Sequence, residues 1–484
     1  MPNATMNTLY QHEADNKAGH VCVKASPDTE TTANPKQVAQ FKCNCHYLWL
    51  REVHGLSTLM MSNSREEKLF WFVVIIMCCA LSIVFADSIM EAFVNNQFTT
   101  KLKVIPVKKL QFPALVFCPK YGDSIHLEPL LLDMRSRVPM VEDDVAYDVI
   151  RYLIAGSGID NVRVDVWDEE YRGKLDSVYK QWRGNRTQLH MFDYVFSQNG
   201  YTCQEMFHLC YAGSRDLDCC KVFEPTFVMM RGRCFRLIDS YYQTDVDETD
   251  RLSVFFNRVQ GPLLQNSTRP QLVTYITDHH PETGLYPRVY LSLNDWNRLR
   301  FVQRKISMIP ENNLCSTDPL NQGKSTCFVY NWINRVLVKP LNCTLPFFKT
   351  MLPYLAHVPV CEPMTILQHY HTVTSTIVEN YKCLPACERT ENYWQMTNSI
   401  DTSPSPKYAF RVEASFTDLE YEDYSEIRLT TPARFISELG GQSGLFVGCS
   451  VMTFVQGILS IVVFLYDRAR RTYLGHLAVP LTLR

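Results

Sequence analysis

The sequence has almost no net charge and carries no catalytic signature. Its 484 residues include 48 Lys and Arg against 50 Asp and Glu, and a net charge of −2 gives no sign of a nucleic-acid partner. No nucleophile elbow, P-loop, H-E-x-x-H or paired C-x-x-C motif occurs, so we expect no enzyme activity and no cofactor. Internal repeats and low-complexity runs are also absent. A mean hydropathy of −0.14 is too polar for a multi-span transporter and too apolar for a disordered chain.

Long apolar runs are scarce, and the two that occur lie near opposite ends of the chain. Residues 69–86 contain no charge, and as a helix they would span about 27 Å, close to the hydrocarbon thickness of a bilayer. A signal peptide is excluded because 68 residues precede this run and no A-x-A cleavage site follows it. The second run, residues 444–466, also contains small and polar residues, namely Gly448, Ser450, Thr453, Gln456, Gly457 and Ser460. Such residues are typical either of helix packing or of a pore-lining helix, and composition leaves both open.

Basic residues flank the outer sides of both runs. Arg65 and Lys68 precede the first run, and Arg468, Arg470 and Arg471 follow the second, which predicts that both termini are cytoplasmic. The long segment between the runs would then be extracellular. Three glycosylation sequons agree with that placement, at Asn185, Asn266 and Asn342.

Cysteines are concentrated between the two apolar runs. Of 18 in the chain, twelve lie there: Cys118, Cys203, Cys210, Cys219, Cys220, Cys234, Cys315, Cys327, Cys343, Cys361, Cys383 and Cys387. An even number in an oxidising compartment predicts six disulfides, and their grouping within 118–234 and 315–387 favours two separately linked lobes. Near the N-terminus, Cys43, Cys45 and His46 could form half a metal site or be palmitoylated, but no second pair completes a metal site, so we expect no bound metal.

Between the runs, the patterning is mixed. Residues 112–118 predict a short apolar strand, residues 286–294 and 408–421 alternate as strands do, and residues 145–240 mix amphipathic helices with loops. Two acidic clusters, at 245–250 and 418–426, could sense protons or bind Ca²⁺, but solvated loops are the simpler interpretation. The histidine pairs at 279–280 and at 369 and 371 could bind a metal, but lone histidine pairs seldom do, so we expect no metal there.

Short motifs in a fixed order resemble those of the degenerin, epithelial sodium channel and acid-sensing channel family. They are His54-Gly55 before the first run, Phe112-Pro113-Ala114 followed by Cys118, Asp218-Cys219-Cys220, Gly232-Arg233-Cys234-Phe235, Cys383-Leu384-Pro385-Ala386-Cys387, and residues 439–446 followed by Gly448-Cys449-Ser450. Each is weak alone, but together and beside two spans they are specific. The resemblance covers nearly the whole chain.

The resemblance implies a two-span α-helical membrane protein with a large, disulfide-rich, mixed α/β extracellular domain of finger, thumb and palm type, assembled as a trimeric channel. The expected segments are a cytoplasmic region at 1–68 with the His-Gly motif, a first span at 69–90, an extracellular domain at 91–436, a second span at 437–466 and a cytoplasmic tail at 467–484. The expected location is the plasma membrane.

The resemblance also implies disulfide partners. It pairs Cys118 with Cys234, Cys315 with Cys387, Cys327 with Cys383 and Cys343 with Cys361, and it joins Cys203 and Cys210 to Cys219 and Cys220 in an order that stays open. The family usually has two further disulfides in this region. Asn331 and Tyr381 occupy the positions of one of them, and the other is missing at both ends, so no orphan thiol results.

The pore residues follow from the same motifs. Gly448, Cys449 and Ser450 correspond to the selectivity filter, where carbonyl oxygens and the serine hydroxyl would replace part of a cation's water shell. Ser437 corresponds to the small residue above the pore, Glu438 to the acidic residue beside it, and Gly440 and Gly441 to the entry of the pore helix. The chain departs from the family at Gln456, where an acidic residue is common, and this weakens the case for sodium preference.

The function expected from the resemblance is a cation channel subunit, chiefly for sodium or other monovalent cations, opened by an extracellular ligand, proton or force. Its partners would be copies of itself or related subunits in a homo- or heterotrimer, with membrane lipid around it and amiloride as a blocker. The alternative is a non-conducting receptor or obligate heteromer subunit with the same ectodomain. An ATP-gated trimeric channel shares the topology, but Lys101, Lys103, Lys108 and Lys109 do not replace its missing motifs.

Overall fold

The structure is a computed structural model of the chain. It describes residues 58–59, 62, 64–95, 97–258, 271–280, 284, 287–320, 324–375, 382–401, 407–448, 450–452, 455, 458–459, 461–463, 465–466 and 468–470. The chain divides into two compact units. One comprises residues 1–99 and 428–484, and the other comprises residues 100–427.

Helices and strands alternate irregularly along the described residues. The helices are α1 (Arg65–Val94), α2 (Leu127–Arg137), α3 (Asp143–Gly156), α4 (Glu169–Arg183), α5 (Gln188–Phe192), α6 (Cys203–Met206), α7 (Cys219–Val222), α8 (Asp247–Asp250), α9 (Lys324–Trp332), α10 (Lys339–Leu341), α11 (Pro346–Met351), α12 (Pro363–Gln368), α13 (Tyr370–Val373) and α14 (Pro432–Val447). The strands are β1 (Phe98–Pro106), β2 (Leu110–Gln111), β3 (Ala114–Pro119), β4 (Phe207–Ala212), β5 (Arg215–Leu217), β6 (Phe223–Val228), β7 (Gly232–Leu237), β8 (Tyr242–Gln243), β9 (Leu252–Phe256), β10 (Leu272–Thr277), β11 (Arg288–Tyr290), β12 (Asp295–Ser307), β13 (Glu388–Ile400) and β14 (Phe410–Arg428). Two π-helical turns, Asp193–Gln198 and Ile333–Val338, continue α5 and α9.

Helix α1 contains the first apolar run and extends it at both ends. Its N-cap is Ser64, whose hydroxyl accepts a hydrogen bond from the Glu67 backbone N–H at 3.0 Å. Among the described residues, α1 is the one helix long and apolar enough to cross a membrane. The second apolar run lies partly outside the described residues, so the two-span topology stays a prediction.

Two sheets form the framework of the unit made of residues 100–427. The larger has seven strands in the order β13-β12-β14-β9-β4-β5, with β1 also paired to β14. Strands β12 and β14 run parallel, whereas β13 and β9 pair antiparallel on their outer sides. The smaller has five strands in the order β11-β10-β3-β7-β6, and β2 and β8 form a separate two-stranded ribbon.

Aromatic side chains from both sheets share one core. Phe117 of β3 lies 4.8 Å from Phe256 of β9, measured between ring centroids, and Phe207 of β4 stacks on Phe223 of β6 at 4.6 Å. All four are buried. Edge-on and stacked ring pairs at these distances stabilise the core beyond the burial of their area, so the rings join the two sheets into one body.

A second core lies among the helices. The buried face of α3 repeats every three or four residues, at Val145, Val149, Ile150 and Leu153. Helices α2 and α4 are joined through the half-buried Asp133, which accepts hydrogen bonds from the Trp182 indole at 2.8 Å and from the Arg186 guanidinium at 2.8 and 3.0 Å. Burial raises the pKa of Asp133, but these donors hold it below its ordinary value, so the carboxylate stays charged.

Six disulfides link the described cysteines of this unit. Four are the pairs that the resemblance implies: Cys118–Cys234, Cys315–Cys387, Cys327–Cys383 and Cys343–Cys361. The open order is resolved as Cys203–Cys220 and Cys210–Cys219. At the position of one missing pair, the Asn331 amide donates to the Cys327 carbonyl at 2.8 Å, and Tyr381 lies outside the described residues.

The strand expectations meet the structure with differences in length. β11 lies within its predicted segment, β3 begins two residues after the start of its segment and ends one residue beyond it, and β14 continues to Arg428, well beyond residue 421. The sequence pattern does not predict this extension, because it contains many charged residues. Glu422 pairs with Arg304 at 2.7 Å, and Glu426 accepts from the Ile309 N–H at 2.9 Å, so this part of the second acidic cluster serves strand pairing.

Two helical glycines provide a matched test of the helical core. A Cβ on Gly156 would lie 2.4 Å from Cβ and 2.7 Å from Cα of Pro363, whereas a Cβ on Gly173 would meet nothing within 4 Å. We expect Gly156→Ala to destabilise the protein by about 1–3 kcal/mol through overpacking. Gly173→Ala should stabilise it by about 0.5–1 kcal/mol through lower chain entropy. Thermal unfolding of the detergent-solubilised full chain measures both, and equal midpoints would contradict the packing assignment.

Candidate functional site

Helix α14 begins just after the end of β14 and carries four of the eight predicted pore residues, Ser437, Glu438, Gly440 and Gly441. Thr431 is its N-cap, with its hydroxyl accepting from the Arg434 N–H at 3.2 Å, and Pro432 is the first helical residue. Both are favoured at a helix start, because the hydroxyl satisfies a free N–H and proline lacks one. The sequence thus sets the helix start five residues before Ser437.

The two faces of α14 differ in composition. At about 100° per residue, Ser437, Gly440, Gly441 and Gly444 fall on one side, and all four are exposed. The opposite side carries larger residues that are half-buried: Phe435, Leu439, Gln442 and Phe446. The four small residues follow the helical spacing i, i+3, i+4, i+7. We call their side the smooth face of α14, and the side of the four larger residues its bulky face.

The bulky face packs against α1, which belongs to the same unit. Phe435 stacks on Phe93 with ring centroids 4.4 Å apart, and Phe446 stacks on Phe85 at 5.4 Å. A Cβ on Gly440 or Gly441 would meet no described atom within 4 Å. Within this chain, the smooth face is therefore left without a partner among the described residues, which distinguishes it from the face that the chain covers itself.

The helix is interrupted at the predicted filter. Gly448 follows α14 with φ 70° and ψ 17°, a left-handed conformation, and its N–H bonds back to the carbonyls of Ser443 and Gly444. Glycine takes this conformation without the strain a Cβ would cause. Ser450 is also non-helical, and the described residues from 451 to 470 are helical again. Cys449 and Gln456 lie outside the described residues.

Glu438 lies beside the smooth face and is engaged in an ion pair. Its carboxylate is 2.6 Å from Nε of Arg434, one helical turn earlier. The pair is mostly exposed, and such pairs contribute little to stability. The arrangement places a charged pair next to Ser437, at the end of α14 nearest β14 in the chain.

An aromatic node stands where residues 112–118 meet the large sheet. The Phe112 ring makes edge-to-face contacts with Tyr241, Phe301 and Phe416 at 5.2, 5.9 and 5.6 Å. All except Tyr241 are fully buried. The residue just before β3 is thus packed on β12 and β14.

The remaining predicted residues are dispersed. Asn185 and Asn342 are exposed, as glycan acceptors must be, while Asn266 and the His54-Gly55 motif lie outside the described residues. One histidine of each predicted pair is hydrogen-bonded to an aspartate: His371 to Asp165, and His279 to Asp239. Within the part of the chain that the structure describes, no group of three or more His, Cys, Asp or Glu could hold a metal ion.

The first acidic cluster is tied up in ion pairs. The buried Asp250 bonds to Arg215 at 2.6 Å and to Thr244, Asp247 lies 3.0 Å from Arg300, and Glu248 lies 3.4 Å from Arg251. These contacts fix loops at the edge of the large sheet. Sequence reasoning missed another residue beside this cluster, the buried Gln243, because a glutamine in a polar segment gives no sign of burial.

Comparison with known proteins gives one strong match. The family model described as amiloride-sensitive sodium channel matches residues 51–459. No curated protein sequence matches the chain. A solved structure of a proton-activated chloride channel, determined by cryo-EM, is similar over 83% of this chain and 98% of its own, at 6% identity and a TM-score of 0.30. That score is too low to support conclusions about fold or function. Because the family model spans most of the 484 residues, the chain belongs to the amiloride-sensitive sodium channel family.

Proposed function

We propose that the chain is a subunit of a gated, cation-permeable channel of the plasma membrane, conducting chiefly sodium. One observation carries the proposal. In a chain of this family, α14 presents a face of small residues that no other described residue covers, and it ends in a left-handed glycine at the predicted filter motif. A helix that merely anchored a domain would need neither feature, whereas helices converging on a pore axis need small residues in order to approach closely.

In the proposed assembly, three copies place the face of Ser437, Gly440, Gly441 and Gly444 around a common axis. Non-helical backbone at membrane depth is tolerated where it lines a cavity. The break at Gly448 would turn carbonyl groups of the Gly448-Cys449-Ser450 segment toward passing ions. These oxygens would then replace part of the hydration shell of a cation.

The proposed topology has two spans, at 69–90 and 437–466, with both termini in the cytoplasm and residues 91–436 outside. Helix α1 contains the first span, and lipid would contact its exposed apolar residues. The six disulfides and the exposed sequon residues Asn185 and Asn342 support an oxidising, extracellular location for the domain between the spans.

Gating in this proposal begins with an external ligand, proton or force acting on the extracellular domain. Two segments would couple that domain to the spans: residues 112–118, which are connected to α1 through β1 and β2, and the part of β14 that precedes Ser437. The aromatic node around Phe112 supports this role because it joins the two segments through buried rings. The His54-Gly55 motif would act from the cytoplasmic side.

A second candidate function is a non-conducting or obligate-heteromer subunit. It is favoured by Gln456, since a pore without a ring of carboxylates attracts cations less strongly. In that case, related subunits would supply the missing charge, and this chain alone would carry no current.

The proposal is tested by voltage clamp of cells expressing the Ser437→Phe chain alone. Crowding on the small-residue face should oppose closure and give a constitutive, amiloride-sensitive current whose reversal potential follows external sodium when sodium is replaced by a large organic cation. Ile436→Phe, on an exposed residue outside that face, is the matched control and should stay silent. Silent Ser437→Phe cells with normal surface protein would favour the non-conducting subunit.

Selectivity is tested at Gln456. In the Ser437→Phe background, Gln456→Glu should raise sodium over potassium preference, because a ring of carboxylates strengthens the local field on small cations. The reversal potential under mixed sodium and potassium gradients measures the change. Gln442→Glu, the same substitution on the face that packs against α1, should leave it unaltered. An unchanged reversal potential in both would remove Gln456 from the selectivity determinants.

The backbone break is tested by two substitutions at Gly448. Asparagine tolerates the left-handed conformation far better than alanine, although it is larger. If the conformation matters, current per surface subunit in the Ser437→Phe background should be higher for Gly448→Asn than for Gly448→Ala. If only the size of the side chain mattered, the order would be reversed, and the role of the glycine conformation would be rejected.

A further inference from the structure

The pairing of β14 with β12 changes register in the middle of the large sheet. Its residue Phe416 pairs with Phe301 of β12, but the next defined pair is Tyr421 with Gln303. Between these pairs β12 advances by two residues and β14 by five. The intervening residues 417–420 form an excursion, in which all but the half-buried Leu419 are exposed. The upper half of β14, residues 410–416, pairs with β9 and β12. The lower half, residues 421–428, pairs with β12 again as far as Ser425 and leads along the chain to α14.

A buried glutamine amide sits at the start of the excursion. Gln243 of β8 is fully buried. Its Oε1 accepts from the Phe416 N–H at 2.7 Å, while its Nε2 donates to the Phe416 carbonyl at 2.9 Å and to the Asp245 carbonyl at 2.8 Å. One side chain therefore satisfies both backbone groups of the last residue before the break, as a neighbouring strand would.

The lower end of the excursion has its own anchor. The Leu419 carbonyl accepts from the Val107 N–H at 2.8 Å, just after β1. Leu419 also packs against the core shared by the two sheets. Buried backbone groups without partners are strongly unfavourable. The position of the excursion thus depends on the Gln243 amide above and on the β1 connection below.

We propose that Gln243 is a positioning residue for gating: its amide fixes the point at which β14 shifts its register against β12, and so positions the part of the strand that leads to the pore helix. The proposal rests on the proposed function in taking α14 as that helix. Phe416 belongs to the aromatic node around Phe112, so the amide acts where both connections to the spans are packed together.

Asn297 of β12 provides a matched control. It is also fully buried, and its amide also bonds to the β14 backbone, donating to the Arg411 carbonyl at 3.0 Å and to Ser292 and Asp295. That contact lies before the register shift in the chain, where the pairing of β12 and β14 is regular. Replacing Asn297 removes comparable hydrogen bonds from the same strand and leaves the excursion in place.

The first experiment needs no current. Leu419→Cys is introduced into the full chain, and its reaction with a membrane-impermeant maleimide at the cell surface is timed against a chain without the new thiol. Adding Gln243→Met should raise the reaction rate at least about fivefold, because the excursion opens when its amide anchor is lost. Adding Asn297→Leu should not. Equal rates in the two variants would overturn the proposal.

Gln243→Glu gives a pH signature that general destabilisation would not. A carboxylate still accepts from the Phe416 N–H but cannot donate to the Phe416 carbonyl, whereas the protonated acid can. Burial raises the pKa of a carboxyl group, so the protonated form persists above the usual range. The maleimide reaction rate of Leu419→Cys is measured with Gln243→Glu and with the native Gln243 at each pH. The ratio of the first rate to the second should be near one at pH 5.5 and clearly higher at pH 8. A flat ratio would contradict the amide's role.

The gating role is read in the Ser437→Phe background. Gln243→Met should alter the current per surface subunit by more than about twofold, with an unchanged reversal potential, because register and not the filter is affected. Asn297→Leu should stay within that range. A faster thiol reaction with an unchanged current would reject the role in gating. Absence of current in every variant would count against the proposed function, while the thiol rates would still decide whether Gln243 holds the excursion.

Discussion

The parallel pairing of β12 with β14 is the constraint on which the extracellular fold depends. Parallel neighbours cannot be joined by a tight turn, and a long crossover must connect them. Here about a hundred residues intervene, between Ser307 and Phe410. They supply helices α9 to α13 and then β13, which returns along the other side of β12. The disulfide-linked helices are therefore the crossover that a parallel pair requires, and Cys315–Cys387 closes that crossover close to the ends of β12 and β13. A disulfide that closes a loop of this length lowers the conformational entropy of the unfolded chain. This offsets part of the entropic cost of pairing strands that are far apart in sequence.

How much of this fold could be predicted from the sequence depends on the distance over which each feature is determined. Local patterns located β3, β11 and the start of β14, because alternation and a preceding proline are properties of a few residues. The full length of β14 was missed since Glu422 and Glu426 resemble a solvated acidic run until their partners Arg304 and Ile309 are known. Strand order is set by contacts between residues far apart in the chain, so it cannot be read from the local patterns of a single sequence. The order of the Cys203 and Cys210 pairs was open for a related reason. Cys219 and Cys220 are neighbours in sequence, and only the short helix α7 turns the buried Cys219 toward Cys210 on β4.

The candidate site divides in the same way. The small residues of α14 follow a helical spacing that the sequence displays openly. Its opposite face could not be assigned to α1, because stacking of Phe435 on Phe93 joins residues more than three hundred positions apart. That Gly448 takes a left-handed conformation follows from its environment, as glycine is common in many conformations. Gln243 gave no signal at all. Its importance arises from an irregularity in β14 that exists only once β12, β8 and β14 are assembled, and a buried amide becomes visible only through the backbone groups it satisfies.

The composition of α14 gives a physical reason why one chain would be incomplete. Packing against α1 covers Phe435 and Phe446, the side that would interact well with lipid, whereas no described atom contacts a Cβ built on Gly440 or Gly441. Glycines carry little apolar area and expose helix backbone. Contact with lipid hydrocarbon would therefore stabilise the smooth face very little. A close approach of another helix would recover dispersion contacts that lipid tails cannot make against such a smooth surface. The surface left uncovered is thus the one that lipid solvates least well and helix packing stabilises most. In our proposal, that difference drives copies of α14 together and brings the break at Gly448 to their common axis.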